Sequence, residues 1–193
     1  MINYPLISNK EGLVMSKKHL KSIEKAIRNI PDYPKPGIQF KDITPLLQDG
    51  KLFHKAVKLM AKPFKKEKIQ AVVAVESRGF IFGAAMATHL GVGFVPVRKK
   101  GKLPHQTLAE SYALEYGSDT LEIHKDALKQ GQKVLIVDDL LATGGTVGAV
   151  VKLIERLGAK VAGLACLIEL SFLGGRKKLP RCPVHSLIDY SAE

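Results

Sequence analysis

VLIVDDLLATGGT, residues 134 to 146, is the stretch whose reading decides the fold of this chain. An apolar run ends in two adjacent carboxylates, Asp138 and Asp139, and a Thr-Gly-Gly-Thr turn then opens a helix. Strand, tight turn and helix in that order form half of a parallel crossover unit, and in open parallel sheets ligands sit beyond the carboxyl ends of the strands. Gly144 and Gly145 let the backbone come close to an anion, the free N–H groups of the helix's first turn point at it, and the hydroxyls of Thr143 and Thr146 add donors. The chemistry is that of a cradle for a single phosphate. No Gly-Lys-Ser/Thr and no GxGxxG is present, which removes the nucleoside-triphosphate loop and the dinucleotide fingerprint. Two carboxylates beside a phosphate repel it unless they face something else, and a ribose diol or a hydrated Mg²⁺ suits them. The same letters also suit a surface turn with an N-cap. Phosphate, sugar and metal taken together mean a phosphorylated ribose.

Outward from that motif, short continuous apolar runs alternate with helical segments, the pattern of buried parallel strands joined by crossover helices. The strands are IQAVVAV from Ile69, VGFVPV from Val92, KVLIVDD from Lys133, KVAGLACLIE from Lys160 and a short closing piece, VHSLI, from Val184. Helices are expected over about 80 to 90 and over 146 to 157, the second carrying Val147, Val150, Val151, Ile154 and Leu157 on one face. Before them, residues 17 to 30 read as an amphipathic helix stopped by Pro31, and 51 to 66 as another carrying Phe53, Val57, Met60 and Phe64. PDYPKPGIQFKDITP, between the two, is too rich in proline for a long helix and reads as irregular or short-stranded. From Arg98 to Lys133 the rhythm breaks into a long polar stretch with only short strand-like pieces, a candidate lid or binding loop.

Composition bounds the function. At 193 residues the chain suits one α/β domain with a single core, and no segment approaches the roughly 20 apolar residues of a membrane span. The first fifteen residues lack the basic start and apolar centre of a secretory signal, so the expected location is cytoplasmic, without a membrane partner. Cys166 and Cys182 show no metal-binding spacing and read as reduced thiols. The formal net charge of +12 suits a nucleic acid, an anionic membrane or a polyanionic small substrate. Most lysines, such as Lys55, Lys58, Lys62 and Lys65, fall on helical faces and read as solvated. Arg98, Lys99, Lys100 and Lys102 follow a strand and surround Gly101, which makes them a candidate anion site.

The chain resembles the type I phosphoribosyltransferases, and within them most closely the members that act on adenine. The residues that carry this are FKDITPLL from Phe40, ESRGFIFG from Glu76, RKKGKLP from Arg98, SYALEYG from Ser111, LEIHKDAL from Leu121 and DDLLATGGT from Asp138. The order of these motifs, spread over roughly residues 17 to 189, is what makes the likeness specific. The resemblance implies an α/β fold with a central, mostly parallel sheet of about five strands flanked by helices. It adds an N-terminal hood for the base over 17–45, after an extension at 1–16. The core then spans 46–193 and carries a flexible β lid loop at about 99–118. It implies transfer of the 5-phosphoribosyl group from phosphoribosyl pyrophosphate to adenine, giving AMP and pyrophosphate. It also implies Mg²⁺ held mainly through the pyrophosphate and water, with no certain protein ligand, and a homodimeric assembly.

Residue by residue, the likeness gives Asp138 and Asp139 to the ribose and Ala142, Thr143, Gly144, Gly145 and Thr146 to the 5-phosphate. Glu76, Ser77, Arg78, Lys99 and Lys102 go to the pyrophosphate, with a strained peptide between Glu76 and Ser77. Glu115 matches the catalytic glutamate that manages the proton of the incoming base, and Tyr116 an aromatic that closes over the reaction centre. Phe40 and Leu140 sandwich the adenine, whose edge is read by backbone groups at Gln39 and Lys41. On pattern alone Phe40 also reads as core and Arg78 as part of a surface turn. Arg98 and Lys100 are expected only to be solvated, and the residues before Met15 to have no part in the site. A DNA-binding regulator that keeps the same site as a sensor would need a separate reading domain, and about thirty residues before PDYPKPG are too few for one. No nucleic-acid partner is therefore expected.

Overall fold

The computed structural model describes residues 19–113, 117–179 and 182–192. Residues 19–25 form the helix α1, with Leu20 and Ile23 buried. It stops earlier than its periodicity predicts: Arg28–Ile30 is a strand, β1, that pairs antiparallel with β2, Phe40–Asp42. The strand pairing supplies backbone partners to residues that a helical end would leave unsatisfied. Pro45 then sits in the first turn of a short helix, α2, Thr44–Gln48, where its missing N–H costs nothing. Asp49 caps α3, Gly50–Ala61, by accepting from the Leu52 N–H at 3.0 Å. A 3-10 turn over Lys62–Phe64 follows, Pro63 having ended the expected longer helix.

The remaining elements alternate: β3 Ala71–Val75, α4 Arg78–Leu90, β4 Gly93–Lys99, β5 Thr107–Ala113, β6 Ser118–His124, β7 Lys133–Leu141, α5 Gly145–Arg156, β8 Lys160–Leu170 and β9 Val184–Tyr190. They build one seven-stranded sheet in the order β5-β6-β4-β3-β7-β8-β9. The five strands from β4 to β9 are parallel, matching the expected sheet. The two extra strands come from the polar stretch, which forms a regular antiparallel hairpin from Thr107↔His124 to Ala113↔Ser118. The hairpin joins the sheet through Arg98↔Glu122 and Lys99↔Leu121.

Each face of the sheet is covered by its own apolar layer. Leu46, Met60, Phe82 and Met86 pack on one side; Leu121, Ile136, Leu153 and Ile154 pack on the other. All eight are almost wholly buried, which makes this burial the main favourable term in folding. The chain moves from β3 to β4 on one side and returns to place β7 on the other. The crevice outside the carboxyl ends of β3 and β7 is therefore the topological switch point, where an open α/β sheet leaves room for a ligand.

Candidate active site

A cavity of about 460 Å³ opens at that switch point. Its wall includes Glu76, Ser77 and Arg78 after β3, Lys99 at the end of β4, Asp138 and Asp139 on β7, and Thr146 at the start of α5. Phe40 reaches it from β2, and Tyr112, Asp119 and Leu121 from the hairpin. Such a volume suits a ligand the size of a phosphorylated sugar with a base. Phe40 is thus a half-buried wall residue and not core.

β7 continues past the acidic pair to Leu141, so the carboxylates lie inside the strand instead of ending it. Asp138 Oδ1 accepts the Asp139 N–H at 2.9 Å and faces Gly79 on α4, where a Cβ would lie 2.7 Å from it. Only glycine lets the helix approach this closely. Burial first, and then the charge of Asp139, pushes the Asp138 carboxyl well above the usual carboxylate range. Burial also raises Asp139, against the pull of Arg78. Arg78 Nη2 stands 2.8 Å from Asp139 Oδ2 as an ion pair without hydrogen-bond alignment, so that buried oxygen keeps no hydrogen-bond partner.

The Arg78 guanidinium lies 5.0 Å from the centroid of the Phe40 ring, and its Nη1 approaches the Lys41 carbonyl at 3.5 Å. One side chain thus links the Asp139 carboxylate to the aromatic face of Phe40. The Glu76–Ser77 peptide is cis. The Glu76 carboxylate is taken by Arg98, which donates from Nε at 3.1 Å and Nη2 at 2.9 Å and holds its pKa below the ordinary value. Arg98 is therefore not merely solvated, as expected from sequence: it fixes Glu76 and also donates to the Lys102 carbonyl at 2.9 Å. Lys99 Nζ meets Asp119 Oδ2 at 3.1 Å.

Lys102 and Leu140 stand outside the cavity wall, and Leu140 packs on the core. Gln39 and Lys41 are held by one partner: Asn29 Nδ2 donates to Gln39 Oε1 at 2.6 Å, and Lys41 Nζ donates to Asn29 Oδ1 at 2.9 Å. Lys41 also lies 4.3 Å from the Tyr190 ring centroid, and burial lowers its pKa. Ala142, Thr143 and Gly144 form the turn between β7 and α5, with Gly144 at φ 80°, and Gly145 is the first residue of α5. Glu115 and Tyr116, like the residues before Met15, lie outside the described residues.

Tyr112 and Asp119 belong to the cavity wall although sequence reasoning assigned them nothing. The available signal was the alternation Leu108, Glu110, Tyr112, a half-buried strand face interrupted by a charge. Among the described residues no cluster of three or more His, Cys, Asp or Glu is placed to hold a metal ion. No described helix is long and apolar enough to cross a membrane.

The profile of the phosphoribosyl transferase domain family matches residues 43–183. The chain is 56% identical over 171 residues to the adenine phosphoribosyltransferase of Thermoanaerobacter pseudethanolicus, an alignment covering 89% of this chain and 99% of the relative. The crystal structure of the adenine phosphoribosyltransferase of Rhodothermus marinus superposes with a TM-score of 0.87 at 55% identity, covering 90% of this chain and 99% of that one. The Saccharomyces cerevisiae enzyme, in complex with an iminoaltritol bisphosphate and adenine, gives 0.84 at 43% identity, covering 89% and 99%.

Proposed function

The chain belongs to the phosphoribosyl transferase domain family, and from that premise we propose that its cavity transfers the 5-phosphoribosyl group of phosphoribosyl pyrophosphate to adenine, giving AMP and pyrophosphate in purine salvage. The observation that carries the reading is the convergence on one cavity of a buried acidic pair, a helix N-terminus behind a glycine turn, two cationic side chains and an aromatic face.

The sugar phosphate docks on the N-terminal amides of α5 and on Thr146, where the helix dipole favours an anion. Asp138 and Asp139 accept from the ribose hydroxyls, and Gly79 leaves the Asp138 carboxylate room against α4. Pyrophosphate lies along Ser77, Arg78 and Lys99, with Lys102 on the same basic loop. Cleaving the ribosyl C–O bond builds negative charge on the leaving group, and these cations lower that cost. Adenine stacks on Phe40 with Leu140 opposite, and the backbone at Gln39 and Lys41 reads its edge. Glu115 manages the proton of the incoming base, and Tyr116 closes the lid against water.

The donor set fits Mg²⁺ bound by substrate oxygens and water: two adjacent carboxylates, one with an unused buried oxygen, and no cage of protein ligands among the described residues. When bound, the ion neutralises charge on the pyrophosphate. The family likeness also carries a homodimer, which sedimentation will test, and a cytoplasmic location. The decisive assay is pyrophosphate release from phosphoribosyl pyrophosphate and Mg²⁺ with adenine, hypoxanthine, guanine, xanthine or orotate, run beside Glu115→Ala. Turnover on adenine alone, reduced at least about 100-fold in the variant, is the expected result. Turnover on another base, or none, overturns the assignment.

A further inference from the structure

The turn that cradles the phosphate is not free on its outer side. At Gly144 a Cβ would lie 2.5 Å from the Gly175 carbonyl oxygen, and at Gly175 a Cβ would lie 2.0 Å from the Ala142 carbonyl oxygen and 2.9 Å from the Gly144 nitrogen. The two glycines stand back to back, and the 3-10 turn Gly175–Lys178 forms a wall behind Ala142–Gly145. The wall is itself anchored. Arg176 grips the carboxylate of Glu169, which is 4% exposed, with Nε donating to Oε1 at 2.9 Å and Nη2 closing on Oε2. Nη1 donates to the Val184 carbonyl at 2.8 Å, and Ser186 Oγ donates to Glu169 Oε2 at 2.7 Å. Glu169 sits on β8 opposite Leu141, the residue from which β7 enters the phosphate turn. The clamp therefore ties β8, β9 and the wall to the strand that feeds the cradle.

We propose that Arg176 is a positioning residue for the sugar-phosphate cradle: through Glu169 it fixes Gly175 as the stop that sets where the amides of Gly144 to Thr146 meet the 5-phosphate. It touches no substrate in this arrangement. The bidentate pairing explains why arginine stands there, since a lysine at 176 reaches one carboxylate oxygen and leaves the Val184 carbonyl unmatched. The inference rests on the assignment of Ala142 to Thr146 to the 5-phosphate.

The test measures binding of ribose 5-phosphate, pyrophosphate with Mg²⁺, and adenine by calorimetry on the full chain, with KM for both substrates. Three forms are compared: wild type, Arg176→Met and Gly175→Ala. The alanine keeps the Arg176 side chain and pushes directly on the Ala142 carbonyl and the Gly144 nitrogen, and Gly175 has no positive φ to strain. Both variants are expected to weaken ribose 5-phosphate and raise KM for phosphoribosyl pyrophosphate about tenfold, since small misplacements of a binding group cost that much or more. Pyrophosphate affinity and KM for adenine should shift less than about twofold on the same scale. Unchanged ribose 5-phosphate affinity in Arg176→Met overturns the role of Arg176, whatever Gly175→Ala does. A parallel loss of all three ligands overturns it too, because that is general destabilisation. A wild-type chain that binds pyrophosphate but not ribose 5-phosphate instead overturns the reading of the turn itself.

Discussion

Asp138 and Asp139 stand side by side in a strand that hides both from water, and the folded chain carries the cost of their charge. Both carboxyls are raised, so the folded protein keeps their protons to higher pH than the unfolded chain does. Stability is then lost as pH climbs from the unfolded carboxylate value through the folded one. Asp138→Asn keeps an oxygen for the Asp139 N–H and removes one charge. It should therefore raise the unfolding free energy at neutral pH by about 1 kcal/mol, as relief of a functional strain commonly does, while phosphoribosyl pyrophosphate turnover falls steeply. Denaturant melts at pH 5 and pH 8 check both claims: the gain must be larger at pH 8. A less stable variant at pH 8 would show that the Asp138 charge is compensated in the ligand-free chain.

Helix α4 meets β3 across Gly83, where a Cβ would fall 2.5 Å from Ala74 Cβ and 3.0 Å from the Phe94 ring. Neither neighbour can give way by a simple rotation of a long side chain. Gly83→Ala gains about 1 kcal/mol of helix propensity and loses about 1–3 kcal/mol to overpacking. A net loss of stability in thermal unfolding is expected, and a net gain would mean that α4 lifts easily from the sheet. The parallel strands were legible because they are continuous apolar runs, and α5 because its apolar residues recur with helical spacing. The hairpin was not, because Glu110 interrupts the apolar face of β5. Its carboxylate meets Lys152 at 3.0 Å and Arg156 at 3.1 Å on α5, a tertiary pairing that no local pattern encodes. Nor does periodicity at Arg28 to Ile30 separate the last turn of a helix from a short strand, since the deciding partner lies at Phe40 to Asp42. The acidic pair and glycine turn were readable as letters, whereas the bond from Arg98 to Glu76 and the wall at Gly175 exist only once distant strands are paired.

At the scale of the whole molecule, both thiols are sealed. Cys166 is fully buried in β8 with its pKa pushed well up, and burial raises Cys182 to about 11. The thiolate is the reactive form, so alkylation of the native protein at neutral pH should be negligible and labelling should track global unfolding. Fast modification of either cysteine without denaturant would show that β8 or the segment before β9 opens locally. The order of the sheet has a further effect, on the timing of synthesis. Strand β7, which bears the acidic pair, gains its neighbour β8 only when residues 160–170 exist, and β8 gains β9, which carries the Arg176 anchor point, only with residues 184–190. A chain still growing on the ribosome and ending before Val184 has every letter of the cavity wall and no finished frame for it, so competence for substrate is expected late in translation.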